Sequence, residues 1–270
     1  MKRLRFEGFA TLVLVVALVV VACATVPVTG RRQLSLIPRR DLLAMSFSQY
    51  DQFLSEHPVV TGTPEAQMVE RVGFRIAHAV EDYLRERGQS DHLRGYDWEF
   101  RLVEDEAANA WCMPGGKVVF YTGILPITAD EAGLAVVMGH EIAHAVAEHG
   151  NERMSQALLA ELGGVGLAVA MRERPQYTRN MWLAAYGAGA QVGVLLPFSR
   201  RQESEADELG LIFMAKAGYD PREAVDFWQR MADQRSAPGP PEFLSTHPAD
   251  STRMRNLEEL IPTAMQYYNP

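Results

Sequence analysis

The sequence predicts a mainly helical α+β domain with a small antiparallel β-sheet. Helical periodicity with terminal signals recurs along the chain, as from Pro64 to Arg87, where proline opens the stretch and Gly88 follows as its stop. Strand signals are fewer: Tyr96 to Glu104 alternates between apolar and polar residues, and Pro114-Gly115-Gly116 marks the turn of one hairpin. The 270 residues, 47% of them hydrophobic, suffice for a sizeable core.

The charge balance argues against a nucleic-acid partner. The formal net charge is −8, and beyond the N-terminus the basic residues cluster only at Arg31, Arg32, Arg39 and Arg40. We expect these arginines to face lipid headgroups or solvent, and we expect no nucleic acid to bind.

Residues 1–22 have the pattern of an export signal. Three basic residues precede an apolar run from Thr11 to Ala22, which ends in Val20-Val21-Ala22-Cys23. This ending is similar to a lipobox, in which the cysteine is acylated and becomes the mature N-terminus. The alternative is an uncleaved single-span anchor, although the apolar segment is short for a hydrocarbon core of ~30 Å.

The pattern predicts a lipid-anchored protein of the cell envelope. We expect a signal peptide over residues 1–22, a tether over residues 23–40 with Cys23 as the lipidation site, and a folded domain over residues 41–270. Ala24 stands where aspartate is associated with inner-membrane retention, so the predicted location is the periplasmic face of the outer membrane. Cys112 is the only other cysteine, which leaves no pair for an intramolecular disulfide.

Several elements are predicted between the tether and the middle of the chain. Helices are expected from about Asp41 to Ser55 and from Pro64 to Arg87, and the hairpin pairs Asn109 to Met113 with Lys117 to Thr122. A longer helix is expected from about Ala129 to His149. Its predicted signals are a capping box of Thr128 and Glu131 and a stop at Gly150.

The pentapeptide His-Glu-Ile-Ala-His lies inside this longer helix. Because residues four apart share one helical face, the imidazoles of His140 and His144 can converge on a single metal ion. Glu141, beside them, can accept a proton from a water molecule activated at that ion. This is the arrangement of a zinc hydrolase.

The residues alone leave the third ligand open. A metzincin would carry glycine and histidine at the positions of Ala147 and Gly150. His149 lies five residues past His144, roughly 140° round an ideal helix, and is predicted to be solvated. The remaining candidates are acidic residues on a second helix that begins at about Ser199.

Four acidic residues on this second helix are candidates. Glu203 lies in the first turn and Asp207 one turn further on the same face, but periodicity does not exclude Glu205 or Glu208. Between the two helices, Met154 to Leu196 is predicted to form two helices that pack on the motif helix and can serve as a lid. They are not predicted to span a membrane, because each apolar piece is shorter than the ~20 residues required.

A set of motifs carries a resemblance to a known family. Met138-Gly139 precedes the pentapeptide, and Glu-x-x-Ala-Asp begins 59 residues after His144 (203 − 144). Three further segments match, namely Asn109 to Leu125, Ala217 to Val225 and Leu244 to Arg253. Together they resemble the CAAX-prenyl-protease/HtpX family of zinc metallopeptidases, especially its lipid-anchored BepA-like and LoiP-like bacterial members. The likeness covers the chain from about residue 25 to about residue 260.

The resemblance implies a zincin-type metalloprotease fold with one zinc ion per chain. By position in the motifs, His140, His144 and Glu203 are the implied zinc ligands and Glu141 is the implied general base. Asp207 matches the aspartate to which the family assigns a supporting role beside the ligands or a proton-donor role.

Asn109, Ala110 and Trp111 are predicted to form the edge that aligns a substrate. Zinc peptidases of this broad type hold a peptide as an added strand, and main-chain hydrogen bonds make such binding tolerant of sequence. A purely structural hairpin is the alternative.

His247 and Arg253 are candidates for regulation and support. Pro248 holds His247 extended in a loop, so its imidazole can project toward the open zinc position and keep the enzyme latent. The alternative is a solvated histidine. Arg253 is a candidate to anchor Asp207 or to stabilise the developing oxyanion.

The predicted function is that of a zinc-dependent metalloendopeptidase. Its expected substrates are unfolded, misfolded or membrane-associated envelope polypeptides, cleaved in protein quality control. A non-proteolytic, chaperone-like lipoprotein with a structural zinc site is the alternative. The intact Glu141 weighs against that alternative, because a structural zinc site needs no general base.

Overall fold

The computed structural model describes residues 23–26, 28–172, 174, 176, 178–185, 200–234, 241–249 and 251–270. The chain divides into two compact units, one of residues Met1–Arg39 and Asn151–Leu196 and one of residues Arg40–Gly150 and Pro197–Pro270. The predicted signal peptide, residues 1–22, lies outside the described residues. Within the described residues, we find no helix with both the length and the apolar character required to cross a bilayer.

The elements follow the chain in a mainly helical α+β order. The strands are β1 (Cys23–Thr25), β2 (Arg32–Leu34), β3 (Val59–Val60), β4 (Glu99–Val103), β5 (Ala110–Met113) and β6 (Lys117–Tyr121). The α-helices whose full bounds lie in the described part of the chain are α1 (Arg39–Glu56), α2 (Pro64–Glu86), α3 (Leu125–Thr128), α4 (Glu131–Val146), α5 (His149–Ala170), α6 (Arg200–Lys216), α7 (Glu223–Asp233), α8 (Phe243–Thr246) and α9 (Ser251–Ala264). The predicted fold class is confirmed.

The larger unit contains a four-stranded sheet in the order β3-β4-β6-β5. The predicted hairpin of β5 and β6 is present and antiparallel. The sheet as a whole is mixed, because β6 inserts between its hairpin partner and β4 and runs parallel to β4. All five residues of β6 are buried, as a central strand requires, and β5 lies at the edge.

Close packing of α4 against α6 sets the geometry of the site. A Cβ atom at Gly139 would lie 2.7 Å from the carbonyl oxygen of Gly210, and a Cβ atom at Gly210 would lie 2.9 Å from the backbone nitrogen of His140. Both distances are below any normal contact. The two glycines therefore allow the helix backbones to approach more closely than alanine would permit.

The ends of α4 differ from the prediction. Asp130, rather than Thr128, caps the helix: its side chain accepts hydrogen bonds from the backbone N–H groups of Ala132 (2.9 Å) and Gly133 (3.0 Å). Thr128 instead ends the short helix α3. At the other end, Glu148 has a φ of 55° and turns the chain, so a new helix begins at His149, before the predicted stop.

The smaller unit joins the tether to the start of α5. Strands β1 and β2 form an antiparallel pair in which Cys23 lies opposite Leu34. The Arg31 guanidinium donates two hydrogen bonds of 2.9 Å to the Glu152 carboxylate. In the region predicted to hold two helices, α5 is the first and residues 178–185 are helical, whereas residues 186–196 lie outside the described part of the chain.

Candidate metal centre

Four buried side chains direct one donor atom each toward a common point. They are His140 and His144 from α4, Glu203 from α6 and His247 from the turn after α8, and their donor atoms all lie within 4.8 Å of one another. The Nε2 atoms of His140 and His144 are 3.0 Å apart, and Glu203 Oε1 is 3.2 Å from His144 Nε2. His247 joins the group through Nδ1, which is 3.1 Å from His140 Nε2 and 3.0 Å from Glu203 Oε1.

Glu141 lies next to this group with one carboxylate oxygen unpartnered. Its side chain is buried, and Oε1 has no hydrogen-bond partner among the described residues. The backbone N–H of Cys112 donates a hydrogen bond to the carboxylate, and His247 Nε2 is 3.4 Å from Oε1. Burial raises the pKa of Glu141 above its ordinary value, although the nearby His247 opposes the shift.

His140 is supported by Asp207 and Arg253. Its Nδ1 atom is 3.0 Å from Asp207 Oδ1, on the side of the ring away from the donor group. Arg253 donates to both oxygens of Asp207, from Nε to Oδ2 (2.9 Å) and from Nη2 to Oδ1 (2.6 Å), and its guanidinium lies 3.4 Å from the ring centroid of Trp228. Asp207 and Arg253 therefore orient a candidate ligand, which is the usual arrangement around a metal-binding histidine.

His144 is supported in the same way by His149 and Glu205. The Nδ1 atoms of His144 and His149 are 2.9 Å apart, and His149 Nε2 is 3.0 Å from Glu205 Oε2. His149 is fully buried, so its predicted exposure to solvent is wrong. The helical angle used for that prediction does not apply, because the chain turns at Glu148 before His149.

The acidic candidates on α6 are separated by geometry. Glu203 lies in the donor group, Asp207 contacts His140, and Glu205 pairs with His149, while Glu208 is exposed. No sequence signal indicated the pairing of His149 with Glu205. Contacts between helices decide it.

The protonation tendencies of the group show the effect of dense packing. Burial lowers the pKa of His144 well below its ordinary value. Burial also acts to lower the pKa of His140, but hydrogen bonds to Asp207 and Glu203 outweigh it and raise that pKa to about 9. Burial would raise the pKa of Glu203, yet hydrogen bonds to the surrounding histidines lower it far below the usual range.

The predicted substrate edge lies at the border of the sheet. Ala110 and Trp111 belong to the edge strand β5, which packs on α4, and Asn109 directly precedes it. The Asn109 side chain accepts a hydrogen bond of 2.9 Å from the backbone N–H of Ala110. The Trp111 ring packs edge-to-face on Tyr50, so among these residues the backbone, rather than the indole, is suited to align a peptide.

The donor chemistry fits a zinc ion. Zinc is bound by imidazole and carboxylate at ~2.0–2.2 Å in tetrahedral geometry, which places donor atoms about 3.4 Å apart. Five of the six residue pairs in the group have donor separations between 3.0 and 3.6 Å, and all donor atoms lie within 4.8 Å of one another. The unpartnered Glu141 Oε1 beside the group is the atom that a water molecule bound there would satisfy.

A buried HExxH helix that meets an acidic residue of a second helix defines the metallopeptidase class. Residues 74–261 match the family model described as Peptidase family M48. The chain therefore belongs to peptidase family M48, which confirms the resemblance inferred from its motifs.

Individual relatives are named as metalloendopeptidases or as proteases. The chain is 34% identical over 212 residues to "Mitochondrial metalloendopeptidase OMA1" of Saccharomyces cerevisiae, which covers 76% of this chain and 58% of that protein. It is 31% identical over 245 residues to the human "Metalloendopeptidase OMA1, mitochondrial", covering 89% of this chain and 46% of that one. It is 34% identical over 162 residues to "Beta-barrel assembly-enhancing protease" of Yersinia pestis, covering 58% and 33%. The chain thus spans less than two thirds of the length of these relatives.

Proposed function

We propose that this protein is a zinc-dependent metalloendopeptidase of the cell envelope, which hydrolyses peptide bonds in unfolded or membrane-associated polypeptides. The observation that carries the proposal is the convergence of His140, His144 and Glu203 beside the unpartnered carboxylate oxygen of Glu141. The names of the relatives support the reaction. The Yersinia protein is named for enhancing β-barrel assembly, and we extend that role to quality control in the envelope.

The residues of the site divide the chemistry among them. His140, His144 and Glu203 would hold the ion, which when bound supplies Lewis-acid polarisation and lowers the pKa of water toward ~7. Glu141 accepts the proton of the attacking water and passes it to the leaving amine. Burial raises the pKa of Glu141, which makes its carboxylate a stronger base than that of an exposed glutamate.

The edge strand β5 would hold the substrate beside this group. A peptide added along β5 would pair through main-chain hydrogen bonds, so the sequence of the substrate would matter little. A cavity of about 530 Å³ lies at the N-terminal end of this edge, lined by residues that include Ala107, Ala108 and Glu242. It offers space for a substrate side chain.

Glu141→Gln tests the reaction. We expect zinc to be retained, because no ligand is changed, and cleavage of an unfolded protein such as casein to fall by several orders of magnitude, because the base is lost. Metal analysis and a proteolysis assay on the full chain measure both quantities. Glu208→Gln, an exposed glutamate on α6, is the matched control. Undiminished cleavage by Glu141→Gln would contradict the mechanism.

We also propose that His247 holds the enzyme latent. Its Nδ1 atom shares the donor group with the three proposed ligands, and its backbone N–H is tied to the carbonyl oxygen of Phe243 (2.9 Å). Phe243 is buried and stacks on His247 with 4.4 Å between ring centroids. In this arrangement the imidazole occupies the position that water needs, and substrate or a partner would draw the turn away.

His247→Ala tests latency. We expect basal cleavage to rise while the zinc content stays constant, because three ligands remain. His78→Ala, an exposed histidine on α2, is the control for loss of an imidazole. An unchanged basal rate, together with a cobalt-substituted absorption spectrum identical to that of the parent, would rule the latch out.

A structural zinc site in a chaperone-like lipoprotein is the second candidate. The observation that favours it is the closed set of four buried donors, since structural zinc sites have four protein ligands. The two functions predict opposite results for His247→Ala: a structural site loses zinc affinity without gaining activity, whereas a latent peptidase gains activity.

Anchoring by lipid on Cys23 completes the proposal. The apolar run ending in Val-Val-Ala-Cys supports it, and Ala24 supports the periplasmic face of the outer membrane. Cys23→Ala should abolish incorporation of labelled fatty acid and leave an unprocessed precursor. Equal labelling of the variant would contradict the anchor.

A further inference from the structure

The second half of α5 exposes apolar side chains to solvent. Five large ones are between 37% and 58% exposed, namely Leu158, Leu159, Leu162, Val165 and Val169. Over residues 158–170 the only charged residue is Glu161. At ~1.5 Å per residue, this stretch is an apolar cylinder roughly 20 Å long. Soluble monomers rarely expose a continuous apolar surface of this kind.

The length and the flanking residues of this stretch suit a membrane surface. Apolar helical segments of ~10–14 residues are too short to span a bilayer, and when they are not buried they are typical of interfacial segments. Beyond its end lie the exposed Arg172 and Arg174, followed by Trp182, which is 51% exposed. Arginine and tryptophan are the residues that bind anionic headgroups and the polar border of the membrane.

The smaller unit also places the proposed lipid attachment close to this helix. Cys23 pairs with Leu34, and two residues later the backbone N–H of Leu36 donates to Ser155 Oγ (2.9 Å) on α5. The pairing of β1 with β2 places Cys23 about 4.8 Å from Leu34, and the two residues from Leu34 to Leu36 span at most roughly 7 Å. Cys23 therefore lies near the start of α5. The bidentate hydrogen bonds from Arg31 to Glu152 also join the tether to α5. An acyl chain on Cys23 would therefore bring α5 to the same membrane surface.

We propose that residues 158–170 of α5 lie on the bilayer as a second membrane contact. The apolar side chains and the indole of Trp182 enter the acyl-chain border, and Arg172 and Arg174 contact anionic headgroups. The inference rests on the lipid anchor proposed above, and it adds a contact that the anchor itself does not provide. Two attachment points would fix the orientation of the smaller unit on the membrane, which one flexible acyl chain does not.

Depth-dependent quenching of Trp182 tests the proposal. The acylated full chain is reconstituted into vesicles of phosphatidylcholine and phosphatidylglycerol whose acyl chains carry bromine, which quenches tryptophan on contact. We expect quenching that is lost in Trp182→Phe and in the double variant Leu162→Glu/Val165→Glu. Met45→Glu, at an apolar residue of α1 that is 46% exposed, is the matched control and should keep the quenching. All substituted positions are exposed, so circular dichroism should show an unchanged fold.

The outcomes separate the helix from the anchor. A parent that incorporates labelled fatty acid and floats with vesicles, but shows no quenching dependent on Trp182, would overturn the membrane contact and leave the anchor standing. Quenching that survives the double glutamate variant would overturn it as well. If the parent is instead a dimer that the double variant dissociates, with no quenching in either, the face binds a second copy and the proposal is wrong. Proteolysis of casein, measured in parallel, reports on the peptidase independently.

Discussion

At the scale of single residues, each proposed histidine ligand on α4 has a partner on the ring nitrogen that faces away from the donor group. When Nε2 of His144 is free to bind a metal, its Nδ1 carries the proton and donates to His149 Nδ1. His149 then donates from Nε2 to the Glu205 carboxylate. The two hydrogen bonds run in the same direction, from His144 through His149 to Glu205. This series favours the tautomer of His144 whose Nε2 atom can bind a metal ion.

His149→Phe should therefore weaken zinc binding by about 10-fold or more, the usual effect of removing an outer partner of a ligand. Competition with a chromophoric chelator measures the affinity. The rise in melting temperature on adding zinc separates a role in orienting His144 from a role in packing. Loss of a residue that only packs would lower the melting temperatures of the metal-free and zinc-loaded proteins equally and leave the rise unchanged.

Two further variants complete this test. Glu205→Gln keeps an acceptor for His149 but removes the charge, so its effect should be smaller than that of His149→Phe. His92→Asn is the matched control, since His92 Nε2 contacts the Val146 carbonyl oxygen (2.6 Å) at the end of the same helix and His92 is not one of the proposed ligands. Equal affinities for the parent and His149→Phe would contradict the orienting role.

At the scale of elements, the close contact between α4 and α6 brings two helices distant in sequence to one site. Gly139 directly precedes His140, and Gly210 lies two helical turns after Glu203. The lack of a Cβ atom at both contacts lets the backbones touch. The distance between the histidines and Glu203 thus depends on residues that carry no chemistry.

Gly139→Ala should push α4 and α6 apart and cost about 1–3 kcal/mol of folding stability, as overpacking does, with a loss of zinc affinity. Gly166→Ala, on α5, is the matched control. Its added Cβ atom would meet nothing within 4 Å, so the better helix propensity of alanine should stabilise the protein by up to about 1 kcal/mol. Urea unfolding with and without zinc measures both variants. A Gly139→Ala protein with the stability and zinc affinity of the parent would contradict the close backbone contact between α4 and α6.

At the scale of the whole molecule, the metal-free protein should lose stability as the pH rises from 6.5 to about 9. The folded-state pKa of His140 is raised from its ordinary 6.5 to about 9, so its contribution is fully present below pH 6.5 and disappears as the folded imidazole loses its proton. Unfolding in urea at a series of pH values, with a chelator present, measures the change.

Two comparisons give this pH prediction its control. The zinc-loaded protein should lack most of the dependence, because the ion replaces the proton on His140. Asp207→Asn should reduce the dependence in the metal-free protein, because it removes the carboxylate partner of His140 Nδ1. An identical pH profile for the metal-free and zinc-loaded proteins would contradict this account of the buried charges.

The sequence by itself determined what depends on near neighbours along the chain. The spacing of His140 and His144 places both on one face of any helix, and the alternation of β4 and the turn at Gly115-Gly116 specify the strand and the hairpin. These features follow from backbone periodicity and turn chemistry, which act over a few residues. Family membership also follows from short motifs with a set spacing.

Only the tertiary structure decided what depends on contact between distant segments. Periodicity placed Glu203 and Asp207 on one face of α6 but did not exclude Glu205 or Glu208. The approach of α6 to α4 gave Glu203, Asp207 and Glu205 different neighbours and left Glu208 exposed. The burial of His149 depends on the turn at Glu148, a residue type that rarely adopts a positive φ, so no local signal announces it. Pairing across helices depends on their rotation and separation, and a one-dimensional pattern contains neither quantity.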